Sequence, residues 1–395
     1  MTEDDFRQLI DPAMREWIAA HRAEDAHRLA LQKQKLPFSQ TLAVGQVALL
    51  QKAAAKLPRM AAAQCVFSLR AFEQSTSEAM AAAKPYGAGA RALDLTCGLG
   101  GDSFAMSGHF AHVTALEPDA AVADMARFNA SLLGIHNLEV VQSRAEDFLT
   151  SYSGLGFDLI YVDPDRRTAG GKRVHALSDC SPDVVTLLPR MRELAPRVLI
   201  KASPMLDLMA LERMFPGEVF LWVLSEGNEC KELLLEFGRG PGRGVIFLRK
   251  GEVGRFEAGP DAVAAKMAAI EEPSFVMELD TALYKASLAP QWLASSGLAG
   301  AMQSPMGFVY ATEDAPDFHG HRYRILDQWP WKPQAIRSAL KSRGIQRVQF
   351  VRRDFDLPTA DVLKSVGIPE GGAFYLLLTR QGDGNRVAIL AERLG

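Results

Sequence analysis

The spacing of apolar residues changes near residue 90 and divides the chain into regions of different texture. Up to about residue 85, apolar side chains recur three and four positions apart, as at Ile10, Met14, Trp17 and Ile18, which is the spacing of an amphipathic helix. Beyond Arg91, short apolar runs alternate with helical segments, as they do in β-α-β units. The pattern predicts a helical N-terminal region followed by an α/β, Rossmann-like parallel sheet.

The α/β region is predicted to contain seven strands. They are expected at Ala92–Leu95, His112–Glu117, Leu138–Gln142, Phe157–Val162, Arg197–Ala202, Glu218–Val223 and Gly244–Leu248. A polar segment over 250–273 predicts a boundary, after which helices and strands alternate up to a buried strand at Ala373–Thr379. We therefore expect three parts: a helical region (1–85), a sheet domain (86–255) and a C-terminal domain (270–395).

Composition restricts the class of protein without naming a function. Of the 395 residues, 48% are apolar and 23% charged, the balance of an ordinary globular protein. The N-terminus lacks the features of a secretory signal, and no apolar run reaches the ~18 residues of a membrane span. The four cysteines form no C-x-x-C pair. We expect a cytoplasmic protein with no metal site and no membrane partner.

Basic residues are concentrated in one part of the chain. Nine basic residues and a single acid, Asp327, lie between residues 319 and 353, although the whole chain carries a net charge of −3. This local charge of +8 favours an anionic partner such as nucleic acid. The run K-P-Q-A-I-R-S-A-L-K-S-R predicts a helix with Ile336, Ala339 and Leu340 facing the core. Three basic residues are predicted to contact phosphates: Arg337, Lys341 and Arg343.

Three aromatic residues lie at or just before the start of this helix. Tyr323, Trp329 and Trp331 have the flat side chains on which bases stack, although tryptophan is more often part of a core.

A glycine-rich turn follows the first predicted strand in A-L-D-L-T-C-G-L-G-G-D, residues 92–102. Gly98 and Gly100 allow the backbone to turn sharply and to approach a ligand. A turn without a ligand has the same pattern, and the dehydrogenase fingerprint is incomplete because Ser103 replaces its third glycine. Asp94, four residues before Gly98, is placed to engage the ammonium group of S-adenosylmethionine directly or through water.

Acidic residues near the ends of the next strands extend this predicted cofactor site. Glu117 ends the second strand and is predicted to accept hydrogen bonds from the adenosine ribose, although an exposed strand-end acid would look the same. After the third strand, Arg144 stands where an adenine-binding acid is usual. Because arginine accepts no hydrogen bond, Glu146, Asp147 or the backbone of Ala145 must serve. The remaining predicted cofactor contacts are Thr96, Cys97, Pro118 and Asp163.

The fourth strand ends in Y-V-D-P-D-R-R, which partly matches the D/N-P-P-F/Y motif of nucleic-acid amino-methyltransferases. Asp163 and Pro164 match the motif, but no aromatic residue follows to stack on a flipped base. The alternative is a simple strand end. The predicted catalytic residues are Asp163, Asp165 and Arg166, and the predicted substrate contacts on this side are Arg166, Arg167 and Lys201.

The same phrase is similar to D-P-P-R-x-G of uracil-C5 methyltransferases, which need a cysteine nucleophile after the following strand. Here that position holds Ser203 in K-A-S-P-M-L-D, so no thiolate is available for covalent attack on the base. Direct transfer to a nitrogen or an oxygen is expected instead.

Several motifs together resemble one bacterial family, the class I methyltransferases with a THUMP-like C-terminal domain. They are A-F-E-Q-S-T-S-E (71–78), D-L-T-C-G-L-G-G-D-S (94–103), D-P-D-R-R (163–167), K-A-S-P-M-L-D (201–207), N-E-C-K-E-L-L (228–234), A-L-Y-K-A (282–286), F-V-R-R-D-F (350–355) and G-G-A-F-Y-L (371–376). In the first motif, Ser75-x-x-Glu78 also has the spacing of a helix capping box. The resemblance implies a seven-stranded methyltransferase sheet and an α+β THUMP-like, RNA-binding domain.

We therefore expect a methyltransferase that uses S-adenosylmethionine to methylate rRNA or tRNA. The alternatives are a methyltransferase that acts on a small molecule or a protein, and a non-catalytic RNA-binding protein that retains the fold.

Overall fold

A computed structural model describes residues 1–32, 35–165, 177–249, 251–259, 263–318 and 320–394. The chain forms two compact units, which are treated in turn. The first comprises Met1–Leu221 and Glu232–Pro241, and the second comprises Trp222–Lys231 and Gly242–Gly395.

The first unit begins with seven helices, as the apolar spacing predicts. They are α1 (Glu3–Leu9), α2 (Pro12–His21), α3 (Ala26–Leu31), α4 (Gln40–Lys56), α5 (Pro58–Ala62), α6 (Leu69–Gln74) and α7 (Glu78–Ala83). A side-chain oxygen caps the N-terminus of six of them, at Thr2, Asp11, Asp25, Ser39, Ser68 and Ser77. Each cap satisfies a backbone N–H that has no partner within its helix.

The capping box expected at Ser75 and Glu78 is wrong. Ser77 caps α7, and Ser75 instead follows the last residue of α6. The Glu78 carboxylate accepts hydrogen bonds from the backbone N–H groups of Arg59 and Met60, both at 2.9 Å. Since Arg59 and Met60 lie in the first turn of α5, Glu78 caps a helix that lies earlier in the chain.

The rest of this unit is a parallel sheet with its helices. Its elements are β1 (Gly89–Asp94), α8 (Gly101–Met106), β2 (Phe110–Leu116), α9 (Ala120–Leu132), β3 (Leu138–Val141), α10 (Ala145–Ser151), β4 (Leu159–Val162), α11 (Val184–Leu194), β5 (Val198–Ala202) and α12 (Leu208–Met214). The strand order is β3-β2-β1-β4-β5, and all four pairings are parallel. The direction of winding reverses between β1 and β4, which is where open α/β sheets bind ligands.

Four further strands complete a sheet of nine strands. They are β6 (Val219–Glu226), β7 (Glu229–Phe237), β8 (Gly242–Arg249) and β9 (Glu252–Ala258), and the full order is β3-β2-β1-β4-β5-β7-β6-β8-β9. β7 is antiparallel to β5 and pairs Leu233 with Ala202. The seven expected strands are all present, but the expected number of seven is wrong because β7 and β9 were missed.

The two missed strands have polar sequences. The first residues of β7 are Glu, Cys, Lys and Glu, so the local pattern does not show a buried strand. β9 lies inside the polar segment 250–273, which was expected to be a boundary. Pairing with β8 gives β9 its hydrogen bonds, and a polar sequence is compatible with this position because β9 ends the strand order.

The second unit contains a seven-stranded mixed sheet. Its elements are β10 (Phe275–Glu278), α13 (Thr281–Lys285), α14 (Ala289–Ser295), β11 (Ala301–Met302), β12 (Val309–Ala311), β13 (His321–Pro330), α15 (Pro333–Ser342), β14 (Val348–Arg352), α16 (Thr359–Val366), β15 (Glu370–Arg380) and β16 (Arg386–Leu394). The strand order is β11-β12-β10-β13-β16-β15-β14. Helices α15 and α16 share a core with β14–β16 that includes Ile336, Leu340 and Val362. The expected α+β organisation and the buried face of α15 are confirmed.

The N-terminal helices are joined to α9 through one buried amide. Asn129, on α9, is fully buried and hydrogen-bonds both backbone groups of Val66: its Oδ1 accepts from the N–H at 2.8 Å, and its Nδ2 donates to the C=O at 2.9 Å. Gln46, on α4, holds the flanking Cys65 and Phe67 in the same way. The segment 65–67 thus obtains from side chains the hydrogen bonds that a sheet would provide.

We expect Asn129→Ala to lower the free energy of unfolding by about 2–3 kcal/mol, because it leaves two buried backbone groups without partners. Urea unfolding followed by circular dichroism measures the change. The control is Asn137→Ala, which removes an amide that donates to two backbone carbonyls, Ser107 and Phe110, but leaves no N–H group unpaired. An Asn129 variant no less stable than this control would contradict the proposed role.

Candidate functional site

Several of the residues predicted to bind a cofactor lie at the carboxyl ends of β1, β2 and β4. Parallel pairing places Asp94 beside Ala115 and Tyr161, so the residues that follow these strands reach the same edge of the sheet. Asp94, Glu117 and Asp163 are therefore close to one another although they are far apart in the sequence.

The turn after β1 requires two glycines for different reasons. Gly100 has φ +93°, and a Cβ atom there would lie 2.3 Å from the Phe104 ring. Gly98 has φ +52°, but nothing lies within 4 Å of the position that a Cβ would occupy. The backbone at Gly98 therefore borders open space, and this is the cradle in which a ligand is expected.

Asp94 is fully buried and holds this turn in place. One carboxylate oxygen accepts from the Thr96 N–H at 2.9 Å, and the other accepts from the Ser103 hydroxyl at 2.5 Å. Burial raises the pKa of Asp94 to about 7, and these hydrogen bonds oppose the rise. Asp94 positions the turn, and its ionisation falls within the neutral pH range.

Glu117 lies just after β2 and faces the same turn. Its carboxylate accepts from the Gly98 N–H and the Asp119 N–H, each at 3.0 Å. Burial raises the pKa of Glu117, and both hydrogen bonds oppose the rise. A carboxylate has about four lone-pair positions, so two remain for the adjacent hydroxyls of a ribose. The turn and this acid together fit S-adenosylmethionine.

Thr96 connects the ends of β1 and β4. Its hydroxyl oxygen accepts from the Asp163 N–H at 2.7 Å and lies 3.3 Å from the Asp94 carboxylate. The backbone of Asp163 is thereby fixed relative to the glycine turn.

The Asp163 side chain is paired with Lys201 at the end of β5. Nζ of Lys201 lies 2.7 Å from Oδ2 of Asp163, 3.0 Å from the Thr76 hydroxyl and 3.4 Å from Oε2 of Glu232. Burial lowers the pKa of Lys201, but Asp163, Glu232 and Asp102 outweigh it and raise the pKa above its usual value. Lys201 was predicted to contact substrate, and its nitrogen is occupied by these neighbours.

A second buried lysine lies beneath this pair. Nζ of Lys84 lies 2.6 Å from Asp102, 2.9 Å from the Tyr161 hydroxyl and 3.1 Å from Oε1 of Glu232. Asp102 also accepts from the hydroxyls of Tyr86 at 2.6 Å and Tyr161 at 3.0 Å. Burial raises the pKa of Asp102, but Lys84 and Lys201 outweigh it and hold the pKa well below its usual value.

No sequence motif predicted this cluster, which we call the buried charge array. Its members are Lys84, Asp102, Asp163, Lys201 and Glu232. In the sequence, these residues are marked only by a charge that lies within or next to an apolar run, as Asp102 does in the helix after the glycine turn.

The other predicted cofactor contacts are in varied surroundings. Cys97 and Ala145 are buried, Pro118 is exposed, and Glu146 lies 3.7 Å from Arg144 in an ion pair. Asp147 is exposed at the start of α10.

Asp165, Arg166 and Arg167 follow Asp163. The Asp165 carboxylate lies 3.2 Å from Arg70 of α6, and its backbone forms an isolated bridge with Ser181. Arg166 and Arg167 lie outside the described residues.

In the second unit, two of the three predicted phosphate contacts have protein partners. Arg337 donates to the Gly367 carbonyl at 2.9 Å, and Arg343 is paired with Asp327. Lys341 is exposed and has no partner within the described part of the chain. Two further basic residues of the window pair with acids outside it, Arg322 with Asp314 and Arg353 with Glu278. The available positive charge is therefore lower than the sequence count indicates.

The aromatic residues of this region belong mainly to the core. Tyr323 is buried and its ring lies 5.2 Å from Tyr375, so Tyr323 cannot stack on a base. Trp331 is half-buried with its ring edge-on to Phe355, and it lines a cavity of about 670 Å³. The other residues around this cavity are Pro330, Arg380, Gln381, Gly384, Asn385, Arg386 and Val387.

Within the described ranges, no three or more His, Cys, Asp and Glu residues are grouped so that they could hold a metal ion. Within the same ranges, no helix combines the length and apolar character needed to cross a bilayer.

Two family models match parts of the chain. Residues 87–203 match a methyltransferase domain, and residues 320–393 match a THUMP domain-like family. The resemblance inferred from the motifs is confirmed for these two segments.

Known proteins are similar to the chain at two levels. A crystal structure of a candidate methyltransferase from Porphyromonas gingivalis W83 superposes with a TM-score of 0.79 at 23% identity, over 97% of this chain and 98% of that one. The 23S rRNA (uracil(1939)-C(5))-methyltransferase RlmD of Klebsiella pneumoniae (strain 342) is 30% identical over 142 residues, 34% of this chain and 33% of the relative. A tRNA/tmRNA (uracil-C(5))-methyltransferase of Haemophilus ducreyi is 34% identical over 88 residues, 19% of this chain and 24% of the relative.

These similarities carry different information. The structural match extends over nearly the whole chain and shows the fold. The chain spans about a third or less of the length of the curated relatives, so their activities do not transfer directly.

The raised pKa of Asp94 gives a pH-dependent prediction. A carboxyl whose pKa rises on folding, here from 3.8 to about 7, binds its proton more tightly in the folded chain and destabilises the fold as the pH rises between those values. Asp94→Asn removes this penalty. We expect the stability of this variant relative to wild type to increase by about 2 kcal/mol from pH 5 to pH 7.5, at ~1.36 kcal/mol per pKa unit.

Urea unfolding of the cofactor-free protein across this pH range measures the difference. Asp147→Asn is the matched control, since it makes the same substitution at an exposed position. A pH-independent difference for Asp94→Asn would show that its carboxyl does not titrate near neutrality.

Proposed function

We propose that this chain, in which a methyltransferase domain (87–203) is combined with a THUMP-like domain (320–393), is an S-adenosylmethionine-dependent RNA methyltransferase. One observation carries the proposal: Glu117 faces the open cradle at Gly98 while Asp163 is held at the neighbouring strand end, where the strand order reverses. Glu117 and Asp163 thereby lie at one sheet edge, where they would serve as the nucleoside-binding acid and as the polar residue next to the reacting group.

The cofactor contacts follow from the turn and the strand ends. Glu117 would bind the ribose hydroxyls, and the backbone at Gly98 would line the methionine part of the cofactor. Asp94 is enclosed by Thr96 and Ser103, so its effect on the cofactor ammonium would be exerted through the field of its charge or through water. Glu146 remains the acid nearest in sequence to the position of Arg144 and would accept from the adenine amino group.

We propose direct transfer of the methyl group to a nitrogen or an oxygen. When bound, S-adenosylmethionine supplies a methyl group whose bond to sulfur breaks, leaving both electrons on sulfur, as the acceptor atom forms its bond to the methyl carbon. Although the curated relatives are named as uracil-C5 methyltransferases, Ser203 stands where the covalent route needs a thiolate. The residues around Asp163 would therefore act by orientation and by charge.

RNA is the proposed substrate because three features agree. Residues 320–393 match the THUMP domain-like family, and two curated relatives are named for methylation of 23S rRNA and of tRNA or tmRNA. Four exposed basic residues of the window have no partner within the described chain: Arg324, Lys332, Lys341 and Arg347. Their charges are available to phosphates.

The direct test compares nucleosides from rRNA and tRNA of a deletion strain, its parent and a strain that carries Asp163→Ala. Mass spectrometry should find one methylated nucleoside that is absent from the deletion strain, restored by the wild-type gene and not restored by the variant. Identical nucleosides in deletion strain and parent, together with purified protein that methylates a small molecule or a protein, would replace RNA as the substrate. Cofactor binding with no methyl transfer to any of these would favour a non-catalytic RNA-binding protein.

Cofactor binding is expected to depend on Glu117. We expect Glu117→Ala to weaken the binding of S-adenosylmethionine by about 1.5–3 kcal/mol, because charged hydrogen bonds to the ribose are lost. Isothermal titration calorimetry measures the affinity. Glu139→Ala is the control, since this exposed acid on β3 is paired only with His112 within the described residues. Equal affinities for the two variants would remove Glu117 from the site, and wild-type protein that binds neither the cofactor nor its demethylated product would disprove the proposed function.

RNA affinity is expected to depend on salt through the exposed basic residues. Replacing Lys332, Lys341 and Arg347 together by Gln should weaken binding and reduce the slope of log affinity against log salt by up to about 2, at ~0.7 per phosphate contact on a single strand. Fluorescence anisotropy with a labelled RNA at several salt concentrations measures both. The control replaces three exposed basic residues of the first unit, Arg28, Lys52 and Arg59, by Gln. If the two triple variants have the same slope, the basic window does not contact the RNA.

A further inference from the structure

We infer that Lys201 is a positioning residue that fixes one carboxylate oxygen of Asp163, so that the other accepts a hydrogen bond from an exocyclic amino group of the base to be methylated. The inference rests on the proposed function and names the substrate group for that site.

First, the Lys201 ammonium is surrounded by oxygen atoms of the protein. An ammonium group has three donors, and Nζ has three oxygen neighbours, on Asp163, Thr76 and Glu232, at 2.7, 3.0 and 3.4 Å. Two of these contacts are hydrogen bonds, to Asp163 and Thr76, and the third is an ion pair with Glu232. The shortest contact is with Asp163, and Lys201 acts on the substrate through it.

The second step is the rigidity of this lysine. Glu232, its deeper partner, is buried and also pairs with Lys84, which in turn pairs with Asp102. Separating buried partners leaves an uncompensated charge away from water, which is strongly unfavourable. The buried charge array thus holds Nζ of Lys201 in one place.

The third step concerns Asp163 itself. Its backbone N–H donates to Thr96, and its Oδ2 is held by Lys201. The backbone and one carboxylate oxygen of this short residue are therefore fixed. Oδ1 has no hydrogen-bond partner among the described residues, and the side chain is 32% exposed. One oriented acceptor therefore faces the space beside the proposed cofactor cradle.

The fourth step is the chemistry of that acceptor. An ionised carboxylate accepts hydrogen bonds and donates none. Oδ1 therefore favours, as the atom to be methylated, one that carries hydrogen. A ring carbon such as C5 is not a hydrogen-bond donor of this kind, and a ring nitrogen with a lone pair has no hydrogen to donate. A ring N–H, like a hydroxyl, must lose its proton as it is methylated.

The ion pair between Asp163 and Lys201 favours methylation of an amino group over methylation of a hydroxyl group. A hydroxyl must lose its proton as it is methylated, and taking up that proton would cost Asp163 its pairing with Lys201. An amino nitrogen attacks with its lone pair and releases a proton to water afterwards, which requires only an acceptor that orients its N–H. The geometry therefore favours an exocyclic amino group.

A double-mutant cycle tests whether Lys201 acts through Asp163. Lys201→Met should lower the single-turnover rate by about 100-fold, the cost of misplacing a reacting group, while the dissociation constants for RNA and S-adenosylmethionine stay within about 3-fold of wild type. In an Asp163→Asn background, adding Lys201→Met should change the remaining rate by less than about 3-fold, because the function of the ammonium has already been removed. Losses that multiply across the two sites would overturn the inference.

Two further variants separate positioning from loss of structure. Lys201→Met leaves Glu232 with one charged partner instead of two. Combining Lys201→Met with Glu232→Gln restores the balance of charge. This double variant should fold like wild type and show the same loss of rate as Lys201→Met. Asn137→Ala removes two hydrogen bonds just before β3, outside the site, and its rate should stay within about 3-fold of wild type. If the balanced double variant recovers the wild-type rate, Lys201 only supports the fold.

One readout does not require activity on RNA. The urea midpoints of the wild type and the same three variants, Lys201→Met, Asp163→Asn and their combination, should shift non-additively, because Lys201 and Asp163 are in contact. Additive shifts would overturn the ion pair whether or not the protein methylates RNA.

The position of the methyl group is the second readout. An N-methylated exocyclic amine in the nucleoside analysis supports the inference, and a methyl group on a ring carbon, a ring nitrogen or a ribose oxygen overturns its substrate group while the proposed RNA methylation stands. Absence of methyl transfer to RNA would disprove the proposed function and, with it, the substrate group.

Discussion

Opposite charges that are withdrawn from water near the strand ends constrain the first unit more than any single contact does. Lys84 and Lys201 share Glu232 between them, and each has a second carboxylate partner, Asp102 or Asp163. Such an array is tolerated in a protein interior only when every ion keeps its partners. The positions of α7, α8 and the ends of β4, β5 and β7 are therefore interdependent, and the geometry of the site is fixed before any ligand binds.

This constraint gives the two sides of the site different properties. On the cofactor side, Glu117 and the glycine turn are held by backbone hydrogen bonds and border open space. On the proposed acceptor side, Asp163 has its backbone and one carboxylate oxygen fixed, while Oδ1 has no hydrogen-bond partner among the described residues. The arrangement suits a reaction in which the protein orients two partners and contributes a fixed field, with no covalent attack of its own.

The second unit uses its arginines largely for its own structure. Arg322, Arg343 and Arg353 pair with carboxylates, and Arg337 binds the carbonyl at Gly367, which ends α16. A guanidinium has five donors, so such a residue can support the fold and still present N–H groups outward. The binding charge proposed here depends chiefly on the lysines and arginines that have no such partners, and this is why counting charges in the sequence overstated the positive surface.

The sequence by itself determined the features that depend on local periodicity. Apolar runs located β1 to β5, and because parallel strands end at one edge, Asp94, Glu117 and Asp163 could be placed together before any coordinates were known. The inward face of α15 at Ile336 and Leu340 followed from helical spacing in the same way. Only the tertiary structure decided that β7 is a strand, that Glu78 caps α5, and that Lys201 is paired with Asp163. The reason is physical: Thr76 lies 125 positions from Lys201 in the chain, and burial and pairing depend on partners that a local pattern of residues does not contain.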